Sequence, residues 1–161
     1  MIKPTAVCAR PEQGLDADCT RKKPTEDRLT VSQTTFASGV SFLIVEDEAL
    51  IAMMLELMLS DAGAEDITIA GSIAEALVSI ARATADVAIF DRRVGDGISY
   101  PAAIKAREHG SAIIIASGSH DLDLPAALAD AIILSKPFTL PHLERAVVAA
   151  LNQAGRAVSA A

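Results

Sequence analysis

The sequence predicts a doubly wound α/β domain: a five-stranded parallel sheet with flanking helices and right-handed crossovers. Three observations carry that expectation. Phe42-Leu43-Ile44-Val45, Val87-Ala88-Ile89-Phe90 and Ile132-Ile133-Leu134 are short apolar runs, as expected of strands buried on both faces of a sheet. Each run ends on polar chemistry: Glu46-Asp47-Glu48, Asp91 and Ser135-Lys136-Pro137. Between the runs, apolar residues recur at helical spacing, so strand and helix alternate. Ligand sites in open parallel sheets lie at the carboxyl ends of the strands. The sheet would therefore gather two or three carboxylates and one lysine into a pocket suited to a divalent cation and a phosphoryl group.

The elements follow in order. The first strand is expected over residues 40–45. A helix follows over 48–61, with Ile51, Met54, Leu55, Met58 and Leu59 at helical spacing and Gly63 as its stop. The second strand is 67–70. Ser72 and Glu75 form a capping-box signature that opens the second helix, which continues through Ile73, Leu77 and Ile80. The third strand is 87–90, and Gly95 and Gly97 mark a turn before a third helix over 100–109, closed by Gly110. The fourth strand is 112–116. Residues 118–130 hold Pro125 and several Asp, so the fourth helix is expected to be short or irregular, with a turn or two within 124–129. The fifth strand is 132–134. Thr139 can cap a last helix over 140–152, and Gly155 follows it.

Domain boundaries follow from texture. Residues 1–39 lack sustained periodicity and read as a disordered or flexible N-terminal extension. Residues 40–154 form the ordered domain, and 155–161 a short tail. The chain has 161 residues, enough for one domain with a full core. With 51% apolar and 3% aromatic residues, the core must be Ala, Ile, Leu and Val, and little surface remains for stacking bases. Residues 1–39 hold six Lys/Arg against five Asp/Glu, and residues 40–161 hold eight against sixteen. An acidic domain argues against a nucleic-acid surface. Cys8 and Cys19 have no histidine near them, so neither a disulfide nor a zinc site is expected. The longest apolar stretch, 49–59, is too short for a membrane span and contains Glu56. The first thirty residues lack a signal-peptide core, so a cytoplasmic location is expected.

Taken together, the ordered set Glu46-Asp47, Asp91, Ser117 and Lys136-Pro137-Phe138, each at a strand end, resembles the receiver domain of bacterial two-component response regulators. The resemblance covers residues 40–152. The short Asp-Arg-Arg-Val-Gly-Asp-Gly turn and the compressed fourth helix are similar to compact single-domain receivers of alphaproteobacterial type. It implies that Asp91 is the phosphoacceptor and that Mg²⁺ is the cofactor. Asp47 would ligate the ion directly, Glu46 through water, and the backbone carbonyl of Arg93 would be a third ligand beside Asp91. Lys136 would pair with the acids and then with a phosphoryl oxygen, helped by a cis Lys-Pro bond. The Ser117 hydroxyl would bond the phosphoryl group. A sensor histidine kinase or a phosphotransfer protein would be the donor, and the protein would signal by contact or relay rather than act as an enzyme. With about nine residues past the last expected helix, no output domain is expected to follow it. A dimer is one open oligomeric state.

Other readings of the same residues are simpler. Asp91 could cap the turn that follows it, Lys136 could sit on a solvated loop, and Ser117 could be a turn residue before Gly118. Glu48 reads as an acid favoured by a helix N-terminus, and His109, His120 and His142 as surface residues. The chain also departs from the family. Ile133 stands where many receivers carry Tyr or Phe, Ser119 follows Gly118, and Tyr100 is the only tyrosine. The aromatic switch is therefore missing or replaced. Two alternatives compete: a pseudo-receiver that binds partners without being phosphorylated, and a haloacid-dehalogenase-type phosphohydrolase. The first usually lacks one of the acids or the lysine. The second needs an Asp two residues past the nucleophile, where this chain has Arg93.

Overall fold

The computed structural model describes residues 35–95, 97–119 and 123–155. Five strands form one parallel sheet, β1 (Ser41–Val45), β2 (Asp66–Ala70), β3 (Val87–Asp91), β6 (Ala112–Ser117) and β7 (Ile132–Ser135), while β4 (Arg93–Val94) and β5 (Gly97–Ile98) pair separately. Their order is β2-β1-β3-β6-β7. The chain steps from β1 out to β2, then returns to pair β3 on the other side of β1 in the register Phe42↔Val87 to Val45↔Phe90. The β1–β3 border is thus the topological switch point, where a crevice opens above the strand ends.

Alternation along the strands splits the core in two. Phe42, Ile44, Val87, Ile89 and Ile114 face α1 (Ala49–Asp61) and α4 (Leu140–Gln153), meeting Leu55, Leu59, Leu143, Val147 and Leu151. Leu43, Val45, Ala88, Phe90 and Ile115 face α2 (Ile73–Arg82) and α3 (Tyr100–Glu108), meeting Ala76, Ile80, Ala103 and Ala106. The alanines on α3 let that helix lie close to the sheet. Helix α2 opens much as its sequence signature indicates, with one difference. Ser72 Oγ accepts from the Glu75 N–H at 3.2 Å, but the Glu75 carboxylate reaches Gly71 N–H at 2.8 Å rather than the cap residue itself.

Two features differ from the expectations. First, the core begins before residue 40. Phe36 and Ala37 are buried against α1, with Ala37 N–H donating to the Ala62 carbonyl at 3.1 Å. Their short Thr-Thr-Phe-Ala stretch has no periodicity to reveal this. Phe36→Ala is therefore expected to lower unfolding free energy by about 3–5 kcal/mol, the usual cost of emptying a buried aromatic site. A denaturant titration checks it, and a change under about 1 kcal/mol would mean the ring is dispensable. Residues 1–34, with Cys8 and Cys19, lie outside the described residues, as do His120 and residues 156–161.

Second, Met54 and Leu77, which belong to the apolar spacing of their helices, are substantially exposed, and Ala52 and Ala76 take core positions. The fourth helical region is short, as expected: one 3₁₀ turn at Ala126–Leu128. Buried Leu128 anchors it, and Arg107 of α3 clamps it, donating to the Ala127 carbonyl at 2.7 Å and pairing through both terminal nitrogens with Asp130. The Arg107 hydrogen bonds hold the Asp130 carboxyl below its usual range. The clamp thus contributes above the ordinary carboxylate pKa and is lost as pH falls through the lowered value. Asp130 is solvent-exposed and Arg107 partly so, so global stability should change little. Arg107→Ala should instead speed amide exchange locally, in residues 126–131. Exchange unchanged there would show that Leu128 alone holds the turn.

Candidate functional site

Four strand ends meet at the switch point. Glu46 directly follows β1, and its N–H donates to the Ala70 carbonyl at 3.1 Å, which continues the β1–β2 ladder past Val45. Glu46 is only 2% exposed. Asp47 is next in the chain, and Asp91 is the last residue of β3. One carboxylate oxygen from each of Glu46, Asp47 and Asp91 lies within 4.8 Å of the others, the one such cluster among the described residues. Like charges about 4 Å apart repel by roughly 1–4 kcal/mol at effective dielectrics of 80 to 20, so the cluster needs cations.

Lys136 supplies one. Its Nζ lies 2.7 Å from Glu46 Oε2 and 2.9 Å from Asp91 Oδ2. Burial works against the lysine's charge, but the hydrogen bonds and charges of Glu46 and Asp91 outweigh it and raise its pKa. Burial pushes the Glu46 carboxyl up, the Lys136 hydrogen bond opposes this, and nearby Asp91 adds to the rise. The direction follows from a carboxylate closed off from water beside a second acid. Lys136 follows β7, where its own N–H donates to the Ser117 carbonyl at 2.8 Å, and the Lys136–Pro137 bond is cis.

Ser117 closes β6, one residue beyond the Ala116 that pairs with Asp91. It is buried, and its Oγ accepts from the Ser119 N–H at 3.1 Å. Backbone donors complete the arrangement. Glu48 N–H reaches Glu46 Oε1 at 3.2 Å, Arg93 N–H reaches Asp91 Oδ1 at 3.3 Å, and Gly95 N–H reaches Asp47 Oδ2 at 2.9 Å. Glu48 precedes α1 without a side-chain capping bond, and His109 and His142 are exposed, apart from the cluster.

The fold thus brings Glu46, Asp47, Asp91 and Lys136 together and sets Ser117 at the neighbouring strand end. One element escaped sequence reading: a two-stranded hairpin, β4 (Arg93–Val94) with β5 (Gly97–Ile98), where only a turn was expected. Its Gly-Asp turn dipeptide is a hairpin signal, but two residues on each side are too few to show alternation.

A family model described as the response regulator receiver domain matches residues 42–148. The chain belongs to that family. Among solved structures, this receiver is similar to a response regulator receiver protein from Sinorhizobium medicae WSM419, at 30% identity and TM-score 0.62, covering 71% of this chain and 96% of that one. It is also similar to SdrG from Sphingomonas melonis Fr1, at 33% identity and TM-score 0.61, covering 71% and 98%. A CheY-like receiver domain protein from Methanospirillum hungatei JF-1 shares the fold at 22% identity and TM-score 0.64, covering 72% and 96%. No curated protein matches the chain.

Within the receiver, the departures from the family pattern have definite places. Ile133 lies on edge strand β7 and is exposed. Tyr100 is buried in the α2–α3 side of the core, its hydroxyl without a hydrogen-bond partner among the described residues. Neither position puts an aromatic ring on β7. No helix among the described residues is long and apolar enough to cross a membrane.

Proposed function

We propose that this receiver accepts a phosphoryl group on Asp91 from the phosphohistidine of a sensor histidine kinase or phosphotransfer protein, with Mg²⁺ as cofactor. The observation that carries the reading is Lys136 bridging Glu46 and Asp91 beside a third acid. A carboxylate oxygen of Asp91 attacks phosphorus as the bond to the histidine nitrogen breaks and the nitrogen keeps the electron pair. Charge then accumulates on the phosphoryl oxygens, and Lys136 is placed to pair with one of them. The Ser117 hydroxyl would donate its proton to another, while its oxygen can still accept from the Ser119 N–H.

Oxygen-only donors fit a hard divalent cation, and Mg²⁺ takes few carboxylates while keeping waters and phosphate oxygens. Asp47 and Asp91 would hold it directly, Glu46 through water, with the Arg93 carbonyl as a backbone ligand. When bound, the ion supplies further positive charge for the transferring group. The protein then resides in the cytoplasm and passes its signal by protein contact or relay.

A docking face adjoins the pocket. Leu50, Met53 and Leu57 are 82%, 61% and 62% exposed on α1, which starts two residues after Asp47. Their i, i+3, i+7 spacing makes an apolar stripe suited to packing against a partner's helix. Met53→Asp with Leu57→Lys should slow phosphotransfer from the cell's candidate kinases roughly 5- to 30-fold, the effect of losing about 1–2 kcal/mol at an interface. Labelling by acetyl phosphate should not change. Equal slowing with both donors would place the defect in the pocket, and no slowing with either would dismiss α1 as the docking face.

A further inference from the structure

Lys136 serves two of the three acids and leaves Asp47 without a cation among the described residues. The donor that Asp47 does have comes from 48 residues along the chain, the Gly95 N–H at 2.9 Å from Oδ2. We propose that Gly95 is a positioning residue of the metal site: its N–H fixes the Asp47 carboxylate within the cluster and leaves the second oxygen for the ion. The inference rests on the Mg²⁺ reading above.

The hairpin is built to hold that N–H still. Arg93 pairs with Ile98 and Val94 with Gly97, and Gly95, directly after β4, has φ +58°. Two-residue hairpin turns favour left-handed backbone at that position, which glycine adopts without strain. The base of the hairpin is tied at both ends. Arg92 N–H donates to the Ala116 carbonyl at 2.9 Å, and Ser99 N–H to the Arg92 carbonyl at 3.0 Å. Val94 is buried, and Gly97 lies so close to α2 that a Cβ there would meet Ile73 Cδ1 at 2.9 Å. The turn therefore reaches the pocket from a fixed support, much as outer hydrogen bonds orient metal ligands elsewhere.

Calorimetric Mg²⁺ titration of the full chain tests this. Gly95→Val disfavours positive φ and should raise Kd about 10-fold or more, the usual cost of losing an outer-sphere partner. Gly95→Asn keeps the N–H and tolerates left-handed backbone, so it should recover most of the lost affinity. In an Asp47→Asn background the Gly95→Val effect should largely vanish, a coupling that general damage to the hairpin would not produce. A measurement that needs no folded Gly95 variant is the Gly95 amide resonance, which should move in Asp47→Ala. Gly95→Val binding like wild type, an undiminished effect in the Asp47→Asn background, or an unmoved Gly95 amide would each overturn the proposal. Wild-type protein that binds no Mg²⁺ would instead remove the metal reading itself, and this inference with it.

Discussion

Asp91→Asn is expected to take up no phosphoryl group from acetyl phosphate, while the wild-type chain gains one. Asparagine preserves size and can still accept from Lys136 Nζ, which lies 2.9 Å from Asp91 Oδ2. What it loses is the anionic oxygen that forms the bond to phosphorus. The fold should survive, because removing one negative charge from three crowded acids relieves repulsion. Intact mass spectrometry reads the outcome directly. Full modification of the Asp91→Asn chain would mean that another residue is the acceptor.

Mg²⁺ affinity is expected to fall further in Asp47→Asn than in Glu46→Gln. Lys136 Nζ already lies 2.7 Å from Glu46 Oε2, so much of that carboxylate's charge is compensated before any cation arrives. Asp47 has no such partner among the described residues, and only a neutral N–H holds it. An incoming cation therefore gains more from Asp47, and direct ligation adds to the difference. The Asp47→Asn loss should be about tenfold or more, equivalent to about 1.4 kcal/mol, with a smaller loss for Glu46→Gln. A titration that gives the reverse order would overturn the assignment of direct and water-mediated ligands.

Most of the sheet was legible because central parallel strands are continuous apolar runs, and β1, β3 and β6 meet that condition. The acids and the lysine were legible for a related reason: polar residues at the ends of such runs converge at one edge of the sheet. What escaped notice was decided by contacts distant in sequence. Phe36 looks like any leader residue until Ala37 bonds to Ala62 beyond α1. Met54 has the right spacing for the core, yet Ala52 takes the inward place, since helical spacing alone does not fix which arc of α1 meets the sheet. The Gly95–Asp47 bond joins residues that no local pattern connects. The weak helix-forming character of 118–130 did show in its composition, and the structure answers with a single 3₁₀ turn. The Arg107 clamp that holds that turn was not visible, because Arg107 and Asp130 are 23 residues apart.

The central claim is that Asp91 carries the phosphoryl group in a Mg²⁺-dependent reaction. Borohydride reduction converts an aspartyl phosphate to homoserine, so it marks the acceptor permanently. The wild-type chain, treated with acetyl phosphate and Mg²⁺, reduced and digested, should show homoserine at position 91 alone. A matched sample with the metal chelated should show none. Homoserine at position 47, or labelling that persists without divalent cation, would contradict the account.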